Sequence, residues 1–229
     1  MLKSVRRSLG LGLFVCAASA FVAPAVHAQT EQQKLVSAAD ATLTKFLRDP
    51  DMTWLQQNIG RAKAVLVAPE IAKAGFIFGG SGGHAVLVAH GAKSGKWVGP
   101  AFYSMATASV GFQAGISVSE TVTLVMTDKA LDSLLASSFR IGADASIAAG
   151  PVGAGAKSDV VADLIAFSRS KGIYGGVNLD GTVVKPNDDW NAAYYGKKAL
   201  APDILARASV HNKQADKLLA NVAAATKKK

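Results

Sequence analysis

From Ala62 onward, short apolar or alternating runs are separated again and again by glycines, and this texture constrains the fold more than any other feature. The runs at 64–68, 75–78, 85–90, 103–110, 115–119, 122–127, 139–149, 160–168, 172–179 and 182–185 have strand length and strand composition. Glycine within a strand marks a bulge, a bend or a close approach of backbones. So many of them predict a strongly curved, barrel-like antiparallel sheet. Helical patterns flank and interrupt it. Thr30 with Gln33 offers a capping box, after which Leu35, Ala39, Leu43, Phe46 and Leu47 recur at helical spacing until Asp49-Pro50. A short helix is expected at 53–60, another at 128–137, and a long Ala- and Leu-rich one at 202–225. The expected class is α+β, with N- and C-terminal helices packed on the sheet.

The first 28 residues read differently. Lys3, Arg6 and Arg7 precede an apolar stretch from Leu9 to Ala25 and the small-residue cut site Val26-His27-Ala28, the order of a secretory signal peptide. Pro24 interrupts the stretch and no positive flank follows it, which argues against a permanent membrane helix. Arg6-Arg7 before Ser8-Leu9 half resembles a twin-arginine signal, but paired basic residues are ordinary at any signal start. Cys16 lies within the apolar run after Leu13-Phe14-Val15, away from the small residues that precede an acylated cysteine. An exported chain, periplasmic or secreted, is the expectation.

Cleavage would change the available chemistry. The only cysteine would leave with the signal, excluding thiolate catalysis and cysteine-ligated zinc in residues 29–229. The formal charge would fall from +9 to +6, and Lys227, Lys228 and Lys229 hold half of the remainder. That excess suits an anionic surface but falls short of a nucleic-acid footprint.

Several motifs resemble catalytic or nucleotide sites. Gly79-Gly80-Ser81-Gly82-Gly83 satisfies G-x-S-x-G, and the segment from Gly80 to Ala85 satisfies a dinucleotide fingerprint. Both need a helix next, whereas Ala85-Val86-Leu87-Val88 is a strand-like run, so a hairpin turn is expected at the glycines. A serine hydrolase using Ser81 and His84 survives only as an alternative. The segment from Gly91 to Trp97 lacks Walker A spacing and reads as a loop. His84 and His90 would share one face of a strand roughly 20 Å apart, too far to share a metal. No cofactor is expected. Asp188-Asp189 after Pro186-Asn187 suit a turn with helix capping.

Helix one remains as a functional element. At about 100° per residue, Lys34, Lys45 and Arg48 group nearly opposite its apolar stripe. Such a helix can lie in a bilayer interface or pack on the sheet with its basic face outward, and either arrangement allows headgroup contact worth around 1 kcal/mol per basic residue.

Ala62-Lys63-Ala64-Val65-Leu66-Val67, then Lys73-Ala74-Gly75-Phe76-Ile77-Phe78-Gly79-Gly80-Ser81-Gly82-Gly83 and Val86-Leu87-Val88-Ala89, resemble the conserved block of the SYLF domain family. The likeness continues through Trp97, Gly99-Pro100-Ala101-Phe102, Gly111-Phe112-Gln113-Ala114-Gly115 and Ala148-Ala149-Gly150-Pro151-Val152-Gly153. It closes on the stretch from Ser168 to Val177 and on Tyr194-Tyr195-Gly196. The resemblance implies one lipid-binding domain over residues 29–229, with its core at about 40–202 and no enzymatic activity. Eukaryotic members bind phosphoinositides and membranes, in part through the N-terminal amphipathic helix, and some engage actin. Export would separate this chain from both actin and cytosolic phosphoinositides, leaving another anionic lipid of the envelope as the expected ligand. The family supplies no residue-level binding motif. By charge and position alone, Lys34, Lys45, Arg48, Arg61, Lys63 and Lys73 are the headgroup candidates. An envelope structural protein binding protein partners through the C-terminal helix is the other alternative.

Overall fold

A computed structural model describes residues 29–75, 78–91, 95–110, 115–153, 160–170, 173–174 and 179–227. Four long strands form its centre: β1 (Ala64–Gly75), β2 (Phe78–His90), β3 (Trp97–Val110) and β4 (Gly115–Val125). Shorter strands extend both edges: β5 (Phe139–Arg140), β6 (Ile147–Ala149), β7 (Leu164–Ser170), β8 (Ile173–Tyr174) and β9 (Val183–Pro186). The order is β5-β9-β3-β2-β1-β4-β7-β6, with β8 also on β7, and the sheet curls into a half-barrel. Every strand pairing is antiparallel except β6 with β7. That parallel pair, at one edge, departs from the all-antiparallel sheet expected.

Six helices complete the described fold: α1 (Glu31–Arg48), α2 (Thr53–Asn58), α3 (Asp128–Leu135), α4 (Asp188–Tyr195), α5 (Ala201–Leu205) and α6 (Asp216–Thr226). They cover both faces of the sheet, because strand alternation gives each face its own apolar set. Leu66, Leu87, Ala101 and Tyr103 pack with Leu134 of α3 and with Ile204 and Leu205 of α5. Val67, Val86, Phe102, Val122 and Phe167 form the other layer with α1, α2 and α6. The α+β class and the terminal helices packed on a curled sheet are as expected from the sequence.

The register of β1 shifts between Val67 and Glu70 against β2, and between Ala68 and Ile71 against β4. The extra residue lies beside Pro69, and a bulge is where a central strand tolerates a residue with no N–H to give its neighbour. Before the bulge Leu66 and Ala68 belong to the α3 and α5 layer; after it Ile71 does. The bulge therefore exchanges the faces on which even- and odd-numbered residues stand.

Several boundaries differ from the sequence pattern. Gly79 to Gly83 are not a hairpin turn; they lie within β2, paired to β1 and β3 on either side. The two runs at 115–119 and 122–127 are one strand, β4. The run at 139–149 is broken after Arg140 by a turn in which Gly142 has φ +87 and the Arg140 N–H donates to the Asp144 carboxylate. β7 begins only at Leu164, after Asp163 has turned to bind Ser146 and Thr127. Of 172–179, residues 173–174 form β8, Leu179 is outside any strand, and the remainder lies outside the described residues, as do 76–77 of the run at 75–78 and 92–94 of the loop expected between Gly91 and Trp97. The long helix at 202–225 is two helices, separated by Ala208 at φ +52 and restarted where Asn212 caps a single 3-10 turn at Lys213–Ala215. Asp188-Asp189 do open a helix, α4, with Asn187 as its cap.

Candidate functional site

The basic face of α1 starts from its capping. Thr30 accepts from the Gln33 N–H and the Gln33 side chain accepts from the Thr30 N–H, fixing where the helix begins. From that start, Val36, Ala39, Leu43 and Phe46 fall on the sheet and are buried, while Lys34, Lys45 and Arg48 are exposed. Helix one thus packs its apolar face on the core. The three cations sit within about 60° of one another around the helix axis, with the exposed, short Ala38 and Ala41 between them.

Two of the three are paired. Lys34 Nζ lies 2.7 Å from Glu31 Oε1, both side chains being well exposed. Lys45 Nζ reaches Glu120 Oε1 on β4 at 2.7 Å, and Arg169 on β7 holds the other oxygen of Glu120 at 2.7 Å. Burial pushes the Glu120 carboxyl up, but hydrogen bonds and charge from Lys45 and Arg169 outweigh it and hold the group below its ordinary range. The Arg169 guanidinium also lies 5.6 Å from the centre of the Phe46 ring. Among the described residues Arg48 has no ion pair.

Each side of α1 borders a groove. One, of about 520 Å³, runs between Lys34 and Lys45 and the far half of the sheet, over Ala72, Gly82 and His84, and is closed at one side by Trp190. The other, of about 400 Å³, lies between Arg48, Gln56 and Gln57 and the Asn221 turn of α6.

The other three candidates stand elsewhere. Arg61 donates to Asn58 in the turn before β1. Lys63 pairs with Asp128 at the start of α3, at 3.1 Å. Lys73 follows the bulge and stands on the sheet face opposite α1, two residues beyond Ile71. The six therefore make one three-residue stripe and three separate positions.

The motif residues settle into structural roles. β2 continues as a strand after Gly83, so neither the nucleophile elbow nor the dinucleotide turn has its helix. Ser81 and His84, three apart on that strand, point to opposite faces. The His84 ring stacks on Trp190 with centroids 4.3 Å apart, and His90 meets Trp97 edge-on at 5.6 Å. Among the described residues no group of three His, Cys, Asp or Glu is placed to hold a metal. No described helix is long and apolar enough to cross a membrane. Sequence reasoning missed Glu120 and Arg169, which only the β4–β7 pairing brings beneath Lys45.

These features define a sheet-and-helix module whose exposed chemistry is a charged helix face. The family model for Ysc84, described as "Las17-binding protein actin regulator", matches residues 106–225, more than half of the chain. The chain belongs to this family, which carries the SYLF domain its glycine-rich blocks resemble. It is 34% identical over 152 residues to LAS seventeen-binding protein 3 of Saccharomyces cerevisiae, covering 63% of this chain and 33% of that one. It is 29% identical over 161 residues to SH3 domain-containing YSC84-like protein 1 of Homo sapiens, covering 68% and 46%. The chain thus spans less than half the length of these relatives, the first of which is named for binding LAS seventeen.

Proposed function

We propose that this chain is a non-catalytic lipid-binding domain that docks on anionic headgroups of an envelope membrane after export. The observation that carries the reading is α1: its apolar face is occupied by the core while Lys34, Lys45 and Arg48 form one exposed stripe. Docking is then peripheral and electrostatic, with each basic residue near the surface contributing around 1 kcal/mol, less where Glu31 and Glu120 already neutralise it. The signal-like segment at 1–28 supports export to the periplasm or beyond.

Protein from Gln29 onward should cosediment with phosphatidylglycerol vesicles and not with phosphatidylcholine vesicles, more weakly at high salt. Replacing Lys34, Lys45 and Arg48 by Gln together should weaken that binding at least about tenfold while the protein still unfolds cooperatively, with only the small loss of stability that breaking the Lys45–Glu120 pair brings. Equal binding to both vesicle types, or to neither, removes the proposal.

The relatives' names favour a second reading, a protein partner. Export would place this chain away from actin, so such a partner would itself belong to the envelope. Complex formation that survives the triple Gln variant, with vesicle binding absent, would select this reading.

A further inference from the structure

α1 and α6 run side by side in the same direction: Gln214 reaches the Gln33 carbonyl, and further along Asn221 reaches Asp40 and Thr44. Past that last contact α6 brings the short Ala224 and Ala225 to the end of α1, and a gap is left between the two helices. α2 walls its third side, held by Gln56, whose amide donates to the Asp49 carbonyl at 2.7 Å. The groove of about 400 Å³ that results lies at a junction of three helices. Its size falls in the range of roughly 300–1,000 Å³ that small-ligand sites occupy.

Among the described residues Arg48 is the one charged side chain that lines this groove. Arg48 is exposed, and its guanidinium makes no hydrogen bond or ion pair with the described residues. The Gln57 amide, also exposed on the lining, is equally uncommitted. Thr44 Oγ1 accepts from Asn221, which leaves its hydroxyl proton to be donated. Half-buried Leu47 and exposed Ala224 supply apolar wall. The groove on the other flank of α1 has the opposite character, since Glu31, Glu70 and Glu120 line it and its two lysines are already paired.

We infer that the groove between α1, α2 and α6 binds a small monoanionic carboxylate, its two oxygens held by the Arg48 guanidinium and its apolar body against Leu47 and Ala224. A planar fork of N–H donors matches a carboxylate bidentately, and a single unopposed positive charge balances a single negative one. Gln57 and Thr44 donate to polar groups beside the carboxylate. A free carboxylic acid and the C-terminus of a peptide offer the same chemistry. The inference does not rest on membrane docking, because Lys34 and Lys45, the other members of the basic stripe, line the opposite groove.

The test is a titration of 15N-labelled protein, from Gln29 onward, with N-acetyl-Ala-Ala, followed by amide shifts and by the Arg48 Nε–H signal. The signals of Arg48, Gln57, Asn221 and Ala224 should move together and saturate, and the C-terminally amidated peptide should leave them in place. Arg48→Gln should raise the dissociation constant at least about tenfold and Arg48→Lys severalfold, because an ammonium keeps the charge but loses the fork. Ala224→Leu keeps the guanidinium and fills the groove from an exposed helix position, so it should abolish binding in a folded protein. Lys34→Gln combined with Lys45→Gln should bind the peptide like the parent while its cosedimentation with phosphatidylglycerol vesicles weakens, so that this inference and the membrane reading fail separately. Competition by hexanoate assigns the site to free carboxylic acids, and its failure to compete assigns it to peptide termini; both sustain it. Equal shifts with the amidated peptide, shifts centred on Lys34 and Lys45, or unchanged affinity in both Arg48→Gln and Ala224→Leu would overturn it.

Discussion

Neighbouring glycines of β2 differ in what the fold asks of them. A Cβ on Gly83 would lie 2.3 Å from the Glu70 carbonyl oxygen, backbone of the bulge that cannot step aside. A Cβ on Gly82 would meet nothing nearer than the Met105 carbonyl oxygen at 3.5 Å, an ordinary contact. Gly83→Ala should therefore cost about 2 kcal/mol or more, while Gly82→Ala should be neutral or stabilise by about 0.5 kcal/mol through the unfolded chain, read from urea midpoints. Glu120 gives a pH signature. Its folded carboxyl is held below the ordinary range, so its contribution is complete above the unfolded value of about 4.3 and is lost as pH falls through the lowered folded value. The stability gap between the parent and Glu120→Gln should be widest near about pH 7 and should narrow as pH falls below about 4.3 in denaturant titrations. Residue chemistry was legible where it is local, as in the three cations of α1. It was not legible for Lys73, because the bulge at Pro69 changes which residues share its face, and no periodicity in the sequence announces a one-residue insertion.

Among the elements, α1 was legible at both ends because its boundaries are written in local hydrogen bonds: the Thr30–Gln33 box at the start, and Asp49-Pro50 where the helix stops. The sheet was legible as a class, since strand-length apolar runs and glycines announce it. Its extents were not, because Gly79 to Gly83 owe their strand conformation to neighbours on both sides rather than to propensity. The C-terminal region failed differently. Ala and Leu give 202–225 helical composition throughout, and the break comes from Asn212 capping a new turn and from Gln214 reaching back to the Gln33 carbonyl on α1. That contact belongs to a structural element: Leu218 and Val222 of α6 are buried beside α1, and Lys217 and Asn221 both reach the buried Asp40. Deleting 202–229 would therefore remove part of the core instead of a detachable partner surface. Leu218→Ala should lower stability by about 2–4 kcal/mol, measured by thermal or denaturant unfolding; an unchanged midpoint would mean that α6 does not pack as described.

At the scale of the whole molecule, the decisive question is whether α1 leaves the sheet when the protein meets a membrane. Its own apolar side chains would lose little by exchanging core for acyl chains. The sheet would lose more, since Val67, Val122 and Phe167 share the layer that α1 helps to cover and would be left facing water. At about 1.5–3 kcal/mol for each large apolar side chain, uncovering them costs roughly 5–9 kcal/mol, beyond the roughly 3 kcal/mol that three basic residues gain at an anionic surface. The ion pair between Lys45 and Glu120 and the bond from Gln214 to the Gln33 carbonyl add to the cost of release. Peripheral docking with the fold intact is the outcome these magnitudes select. Hydrogen exchange measured with and without phosphatidylglycerol vesicles should then leave the amides of α1, β1 and β4 as protected as in solution. Trp190, half-buried in the groove beside Lys34, should report binding by fluorescence, while acyl-chain-brominated lipids quench it little. Loss of protection in β1 and β4 together with strong quenching would mean that α1 inserts, and that the stripe of Lys34, Lys45 and Arg48 faces headgroups from within the interface rather than from above it.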